Sequence, residues 1–63
     1  MVTTNFGRIL KTVHYKQKTF VITEHKSRYY LIEHHREFDT TDVLLITDDM
    51  DLINFKLKEE LKK

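Results

Sequence analysis

The sequence predicts an α+β fold, in which a small antiparallel β-meander carries a C-terminal amphipathic helix on one face. Two observations indicate the meander: residues 6–35 are rich in β-branched and aromatic side chains, and two short polar breaks divide them into three segments. A third observation indicates the helix, because apolar side chains recur on one helical stripe, at Met50, Ile53, Leu57 and Leu61.

Three strands are predicted from these segments, at residues 6–15, 18–25 and 28–35. The breaks between them, Lys16-Gln17 and Lys26-Ser27, are short, and turns of two residues join neighbouring strands in antiparallel order. Neither break has the Asn-Gly or Asp-Gly sequence that favours a tight hairpin turn. The turns therefore specify the pairing register only weakly.

Residues 36–51 are predicted to form an acidic connector that leads to a helix at about 49–62. Within this connector, the β-branched residues at 43–47 favour a fourth strand. The same residues extend the helical stripe backward, so one long helix from about residue 40 is the alternative. We favour the strand, because Asp48 or Asp49 can cap a helix that begins anew.

The chain has 63 residues, which suits a single small domain, 1–63, with a marginal core. Cores of this size are often completed by self-association, and a homodimer is therefore one alternative. Cysteine is absent, which excludes disulfides and thiolate metal sites and suits a reducing compartment, so we expect a cytoplasmic protein. No apolar run approaches the ~20 residues that cross a bilayer, and we expect no membrane partner.

Two-residue turns would pair Tyr15 with Lys18 and His25 with Arg28, and side chains would alternate between the two faces of the sheet. The face with the larger apolar groups is the one we expect under the helix. This covered face comprises Ile9, Lys11, Val13, Phe20, Ile22, Glu24, Tyr29, Leu31 and Glu33. The opposite, open face comprises Leu10, Thr12, His14, Thr19, Val21, Thr23, His25, Tyr30, Ile32 and His34.

Three of the four histidines share the open face on this register, and His14, Thr19 and His34 form one cross-strand row. The backbones of the two histidines would lie ~9–10 Å apart, so both imidazoles could reach one cation. A zinc site needs at least three protein ligands, however, and the row offers neither cysteine nor carboxylate as the third. We therefore expect partly exposed sheet histidines, with no metal and no cofactor.

An enzyme is not expected from this sequence. Asp48, Asp49 and Asp51 resemble a cation-binding cluster, but they lack the alternating ligands and the glycine of a calcium loop. Ser27, the only serine, lies in a predicted tight turn without a recognisable orienting group or oxyanion hole. A chain of this length also has difficulty enclosing a pocket that excludes water.

The predicted function is that of a small non-enzymatic regulator or inhibitor that acts through protein–protein contacts, of the kind that phages and mobile elements encode. Charge is segregated, since residues 37–51 carry six acidic side chains and no Lys or Arg. Two surfaces are predicted to bind the partner. The open face would contribute Tyr30, His14, His34, Thr19 and Thr23. The acidic segment would contribute Glu37, Asp39, Asp42, Asp48, Asp49 and Asp51.

The alternative function is nucleic-acid binding through a basic sheet face. Phosphate contacts would then come from Lys11, Lys16, Lys18, Lys26, Arg28 and Arg36. Two features disfavour this alternative: the net charge is only +1, and the sequence contains no aromatic–basic recognition motif of the RRM type.

Overall fold

Four antiparallel strands form one sheet, and one helix follows them, in the computed structural model, which describes residues 7–63. The elements are β1 (Arg8–Tyr15), β2 (Lys18–His25), β3 (Arg28–His35), β4 (Thr40–Thr47) and α1 (Met50–Glu60). The strands lie side by side in chain order. The predicted fold class is therefore confirmed. Residue 6, the first of the predicted strand 6–15, lies outside the described residues.

The fourth strand is longer than predicted. It begins earlier, at Thr40, because Thr40 and Thr41 continue the antiparallel ladder with the end of β3. Half of the predicted acidic connector, 36–51, is therefore strand. A turn at 36–39 and residues 48–49 lie outside regular structure, and residues 50–51 begin α1. The alternative of one long helix through this region is wrong.

The predicted register between the first three strands is confirmed, since Tyr15 pairs with Lys18 and His25 pairs with Arg28. Both turns use left-handed backbone at non-glycine residues, with positive φ at Lys16 (56°), Lys26 (51°) and Ser27 (65°). Positive φ at both central residues of the second turn is the pattern of a type I′ hairpin turn. The two-residue length of each break was thus sufficient to indicate the pairing.

Two β-bulges shift the register in the edge strands. The extra residue is Leu10 in β1, between Ile9 and Lys11, and it is Leu44 in β4. The first bulge corrects one predicted placement: Ile9 lies opposite Thr23 on the open face, and not on the covered face with Lys11. Strict alternation fails here because a bulge adds a residue to one strand only.

The only glycine of the chain precedes β1, where the backbone requires it. Gly7 has a φ of 100°, and a Cβ atom at this position would overlap the carbonyl oxygen of Glu24. The next residue, Arg8, donates a hydrogen bond of 2.9 Å to Glu24 Oε1. The start of β1 can therefore approach β2 closely only because residue 7 lacks a side chain.

The core lies between the covered face and α1, which contacts β3 and β4. Five buried apolar side chains form it: Phe20, Ile22, Leu31, Ile53 and Leu57. The predicted stripe of α1 is confirmed, since Ile53 and Leu57 belong to this core and the other two members pack against it.

Polar contacts fix both ends of α1. At its start, the carboxylate of Asp49 accepts a hydrogen bond of 2.9 Å from the Asp51 backbone N–H, which is the predicted N-cap arrangement. At its end, buried Glu60 pairs with Lys56 at 3.5 Å and with Lys63 at 3.0 Å. The hydrogen bond from Lys63 holds the pKa of Glu60 below its ordinary value, although burial acts in the opposite direction.

Candidate binding surface

The open face carries a band of apolar side chains, here called the apolar strip, that α1 does not cover. The strip crosses the sheet and comprises Ile9, Val21, Tyr30, Ile32, Val43 and Ile46. Its members on the edge strands are the exposed ones: Ile9 and Val43 are each 39% exposed, and Ile46 is 50% exposed. Within residues 7–63, the strip therefore presents aliphatic side chains of both edge strands to solvent.

Thr23 lies on the open face as predicted, but it cannot contact a partner there. Its side chain is completely buried, and its cross-strand neighbours are Ile9 and Tyr30. Among residues 7–63, the hydroxyl of Thr23 has no hydrogen-bond partner. The prediction of Thr23 as a binding residue is therefore corrected, because a residue in a central strand can be sheltered by its neighbours even on the face that α1 does not cover.

The predicted histidine row on the open face is confirmed, and Thr41 extends it into β4. His14 Nδ1 lies 3.1 Å from Thr19 Oγ1, and His34 Nδ1 lies 3.0 Å from Thr41 Oγ1. His34 Nε2 also lies 3.6 Å from the carboxylate of Asp39. Each imidazole is thus oriented by its own threonine, and the row forms a polar border along the apolar strip.

The acidic residues predicted to bind a partner follow β4, but they do not form one patch. They fall into three groups: Glu37 and Asp39 before β4, Asp42 within it, and Asp48, Asp49 and Asp51 after it. The outer groups lie at opposite ends of the strand, roughly 25 Å apart. Asp49 is already engaged as the N-cap of α1. The acidic residues are close together in the sequence, but in space they are distributed along the β4 edge of the sheet.

The basic residues of the nucleic-acid alternative are divided between opposite ends of the sheet. Lys16, Lys18 and Arg36 lie at one end, Lys26 and Arg28 at the other, and Lys11 on the edge strand β1. Some of them are engaged within the fold: the Arg36 guanidinium donates to the Lys16 carbonyl, and Lys18 Nζ lies 3.5 Å from the Glu33 carboxylate. Their positions do not make one continuous basic face.

Both edges of the sheet carry features that oppose strand addition. A bulge and a charged residue interrupt each edge strand: Leu10 and Lys11 in β1, and Leu44 and Asp42 in β4. Bulges and charges at sheet edges reduce pairing with another chain. A partner is therefore expected to dock on the open face rather than to extend the sheet.

An open pocket of about 290 Å³ adjoins one end of the apolar strip, and it is lined by Arg28, Ile46, Thr47 and Asp48. The hydroxyl of Thr47 accepts a hydrogen bond of 3.1 Å from the Asp49 backbone N–H, so it serves the start of α1. The lining residues contain no paired nucleophile and general base. Ile46 connects the pocket with the strip.

A further constellation, the carboxylate–imidazole cluster, is absent from the sequence predictions. Glu33, His35 and Asp42 each offer one ligand atom, and these atoms all lie within 4.8 Å of one another. The spacing of Glu33 and His35 in β3 could have indicated a shared face. Asp42 joins them only because the β3–β4 register places it opposite Glu33. That register depends on the true start of β4 and on its bulge.

Comparisons of the chain with models of protein families, with curated proteins and with solved structures found no match. In the part of the chain that the structure describes, no helix has the length and apolarity needed to cross a membrane. A function can therefore be proposed only from the geometry of the chain itself.

Proposed function

We propose that this protein is a small non-enzymatic regulator or inhibitor that binds another protein through the open face of its sheet. The observation that carries this proposal is the apolar strip, in which Ile9, Val43 and Ile46 are 39–50% exposed. Exposed apolar side chains that are grouped on one face mark binding surfaces, whereas single exposed apolar residues are common and carry no such meaning.

The surroundings of the strip supply polar contacts that can select a partner. The His14–Thr19–His34–Thr41 row offers imidazole and hydroxyl groups along the border of the strip. Tyr30 lies half-buried within the strip, and tyrosine is enriched among the anchors of protein interfaces. An apolar centre with a polar rim is the common arrangement of a protein–protein interface.

Opposite charges at the two edges of the sheet would orient the partner. Lys11 carries positive charge on the β1 edge, beside the Arg8–Glu24 ion pair, whereas Glu37, Asp39 and Asp48 border β4. Complementary charges accelerate association and favour one orientation of docking. The matching partner would therefore present an apolar surface between an acidic region and a basic region.

A protein partner is favoured over nucleic acid by what lies at the centre of the open face. Sheets that bind single-stranded nucleic acid combine a basic groove with aromatic rings on which bases stack. Here the centre is aliphatic, and Tyr30 is the one Phe, Tyr or Trp of the strands that lies on the open face within residues 7–63. The basic residues lie mainly at the two ends of the sheet.

The test is affinity capture from an extract of the source cells, with the wild-type protein compared with the double variant Val43→Thr/Ile46→Thr. We expect the wild type to capture the same protein before and after nuclease treatment. The double variant should bind it about tenfold more weakly, because each lost apolar contact is worth roughly 0.5–1 kcal/mol. Both side chains are substantially exposed, so circular dichroism should show an unchanged fold.

The matched control is Leu52→Gln/Phe55→Gln, which removes two exposed apolar side chains from the outer surface of α1. This variant should capture the partner as well as the wild type does. If the control loses capture while the strip variant retains it, α1 is the binding surface and the proposal is wrong. Capture that disappears on nuclease treatment would instead support nucleic-acid binding.

A further inference from the structure

We propose that Glu33, His35 and Asp42 bind a divalent transition-metal cation of the Zn²⁺ type between β3 and β4. These residues form the carboxylate–imidazole cluster, whose ligand atoms lie within 4.8 Å of one another. The cluster is on the covered-face side of the sheet, so the proposal is independent of partner binding through the open face. It also revises the expectation of a metal-free protein, which rested on the row of His14 and His34 and on the cluster of Asp48, Asp49 and Asp51.

The donor atoms and their separations suit Zn²⁺. Zinc binds imidazole nitrogen at ~2.0–2.1 Å and carboxylate oxygen at ~2.0–2.2 Å, which places neighbouring ligand atoms roughly 3.3–3.5 Å apart in a tetrahedron. In this protein, Glu33 Oε1 and His35 Nε2 are 2.5 Å apart, and the widest separation within the cluster is below 4.8 Å. Small side-chain rotations would bring all three atoms to bonding distance, with water as the fourth ligand.

The charges within the cluster favour a cation. The β3–β4 register sets Glu33 directly opposite Asp42, and like charges at such a cross-strand pair are destabilising. Lys18 Nζ lies 3.5 Å from Glu33 Oε2, which leaves Oε1 directed to His35. The side chain of Asp42 makes no hydrogen bond or ion pair with another residue of 7–63, so its carboxylate can turn toward a cation.

The cluster is also held in place before any cation binds. Glu33 is only 6% exposed, His35 is half-buried, and both belong to a strand that is paired on both sides. Asp42 is exposed and provides the route of entry from solvent. The positive charges of Lys18 and Lys63 interact with the Glu33 carboxylate and repel a metal cation bound beside it. We therefore expect micromolar rather than nanomolar affinity for Zn²⁺.

The test is calorimetric titration of the full chain with Zn²⁺, with Mg²⁺ as the metal control because imidazole is a poor ligand for it. We expect one equivalent of Zn²⁺ to bind with micromolar affinity. His35→Gln and Asp42→Asn should each weaken binding by at least about tenfold, because each removes one of three protein ligands. The matched controls are His34→Gln and Asp39→Asn, which alter the other histidine–carboxylate contact and should change affinity by less than about twofold.

A second readout does not depend on variants. Two-dimensional amide NMR of the wild-type protein should show Zn²⁺-dependent shifts centred on residues 33, 35 and 42. Shifts centred on His14 and His34 would overturn the proposal, as would unchanged affinity in both cluster variants or no saturable binding below about 1 mM Zn²⁺. Val43→Thr/Ile46→Thr should bind Zn²⁺ normally, which keeps this test separate from that of partner binding.

Discussion

The side chains of the two sheet faces differ less in solvent exposure at the centre of the sheet than in its edge strands. Leu31 and Ile32 are consecutive residues of β3 and point to opposite faces, yet neither is more than 4% exposed. Leu31 is buried in the core beneath α1, whereas Ile32 has Val21 and Val43 as its cross-strand neighbours on the open face. The faces diverge in the edge strands, where the open face leaves Val43 and other aliphatic residues in solvent.

This comparison shows where a small sheet can offer a binding surface. A central strand has a neighbour on each side, so its side chains can be buried without a covering layer. An edge strand has one neighbour only, and its side chains stay exposed unless another element covers them. The surface that we propose for a partner is therefore concentrated at Ile9 in β1 and at Val43 and Ile46 in β4.

Alanine substitutions at the centres of the two faces are expected to change the free energy of unfolding most, and by different amounts on each face. Leu31→Ala should lower the free energy of unfolding by about 4 kcal/mol, because helix and sheet enclose the cavity that it leaves. Ile32→Ala should cost about 2 kcal/mol, because neighbouring side chains and water can fill a cavity on an uncovered face. Urea denaturation followed by circular dichroism measures both values.

Equal costs at these two positions, or a larger cost at Ile32, would contradict the distinction between the faces. Should Leu31→Ala prove too unstable to fold, Leu31→Val and Ile32→Val provide milder substitutions. The former should still cost more than the latter. Both costs then fall in the range of about 0.5–1.5 kcal/mol.

Replacing Thr23 is expected to have a smaller effect, which raises the free energy of unfolding instead of lowering it. Thr23→Val replaces a buried hydroxyl, which has no hydrogen-bond partner in the described part of the chain, by a methyl group of nearly the same size. This should raise the free energy of unfolding by about 1 kcal/mol, because the desolvation cost of an unpaired hydroxyl disappears. The matched control is Thr19→Val, which removes the contact with His14 and should not stabilise the protein. A loss of stability in Thr23→Val would show that this hydroxyl is paired in solution.

The smallest effect on stability is expected from the charge of Glu60, which lies at the end of α1. The pKa of Glu60 is lowered below its ordinary value of 4.5, chiefly by the hydrogen bond from Lys63. A carboxyl group whose pKa is lowered by folding contributes stability above its unfolded pKa and loses that contribution as the pH falls through the folded value. Part of the free energy of unfolding should therefore disappear as the pH falls below about 4.5.

The measurement is urea denaturation of the wild type and of Glu60→Gln at several values of pH. The difference in stability between the two proteins should shrink as the pH falls below about 4.5. Glu59→Gln, on the exposed side of α1, is the control. A pH-independent difference would indicate that Glu60 acts through packing and not through its charge.

Short-range patterns were sufficient for most of the fold. The two-residue breaks indicated the pairs Tyr15–Lys18 and His25–Arg28, because a two-residue turn sets its two flanking residues opposite each other. The row of His14, Thr19 and His34 followed from the same register. The sequence places Thr40 in a connector, because polar residues before an apolar run resemble a loop when the partner strand is not considered.

The candidate sites were less accessible to sequence reasoning. Alternation along the strands placed the histidine row on the open face. The solvent exposure of each side chain, however, depends on its neighbours in other strands. Alternation along β2 predicts Thr23 as a binding residue, but Thr23 is fully buried, with Ile9 and Tyr30 as its cross-strand neighbours. The acidic segment was continuous in the sequence but is spread along β4 in space, because an extended strand separates its ends.

The sequence by itself determined the three hairpin strands, their pairing and the inward stripe of α1. These features depend on residue alternation and turn length, which are local properties of the chain. Only the tertiary structure decided that Ile9 lies on the open face and that Asp42 meets Glu33 and His35. The physical reason is that a bulge changes which residues face each other across two strands, and the contacts with the neighbouring strand determine where it forms.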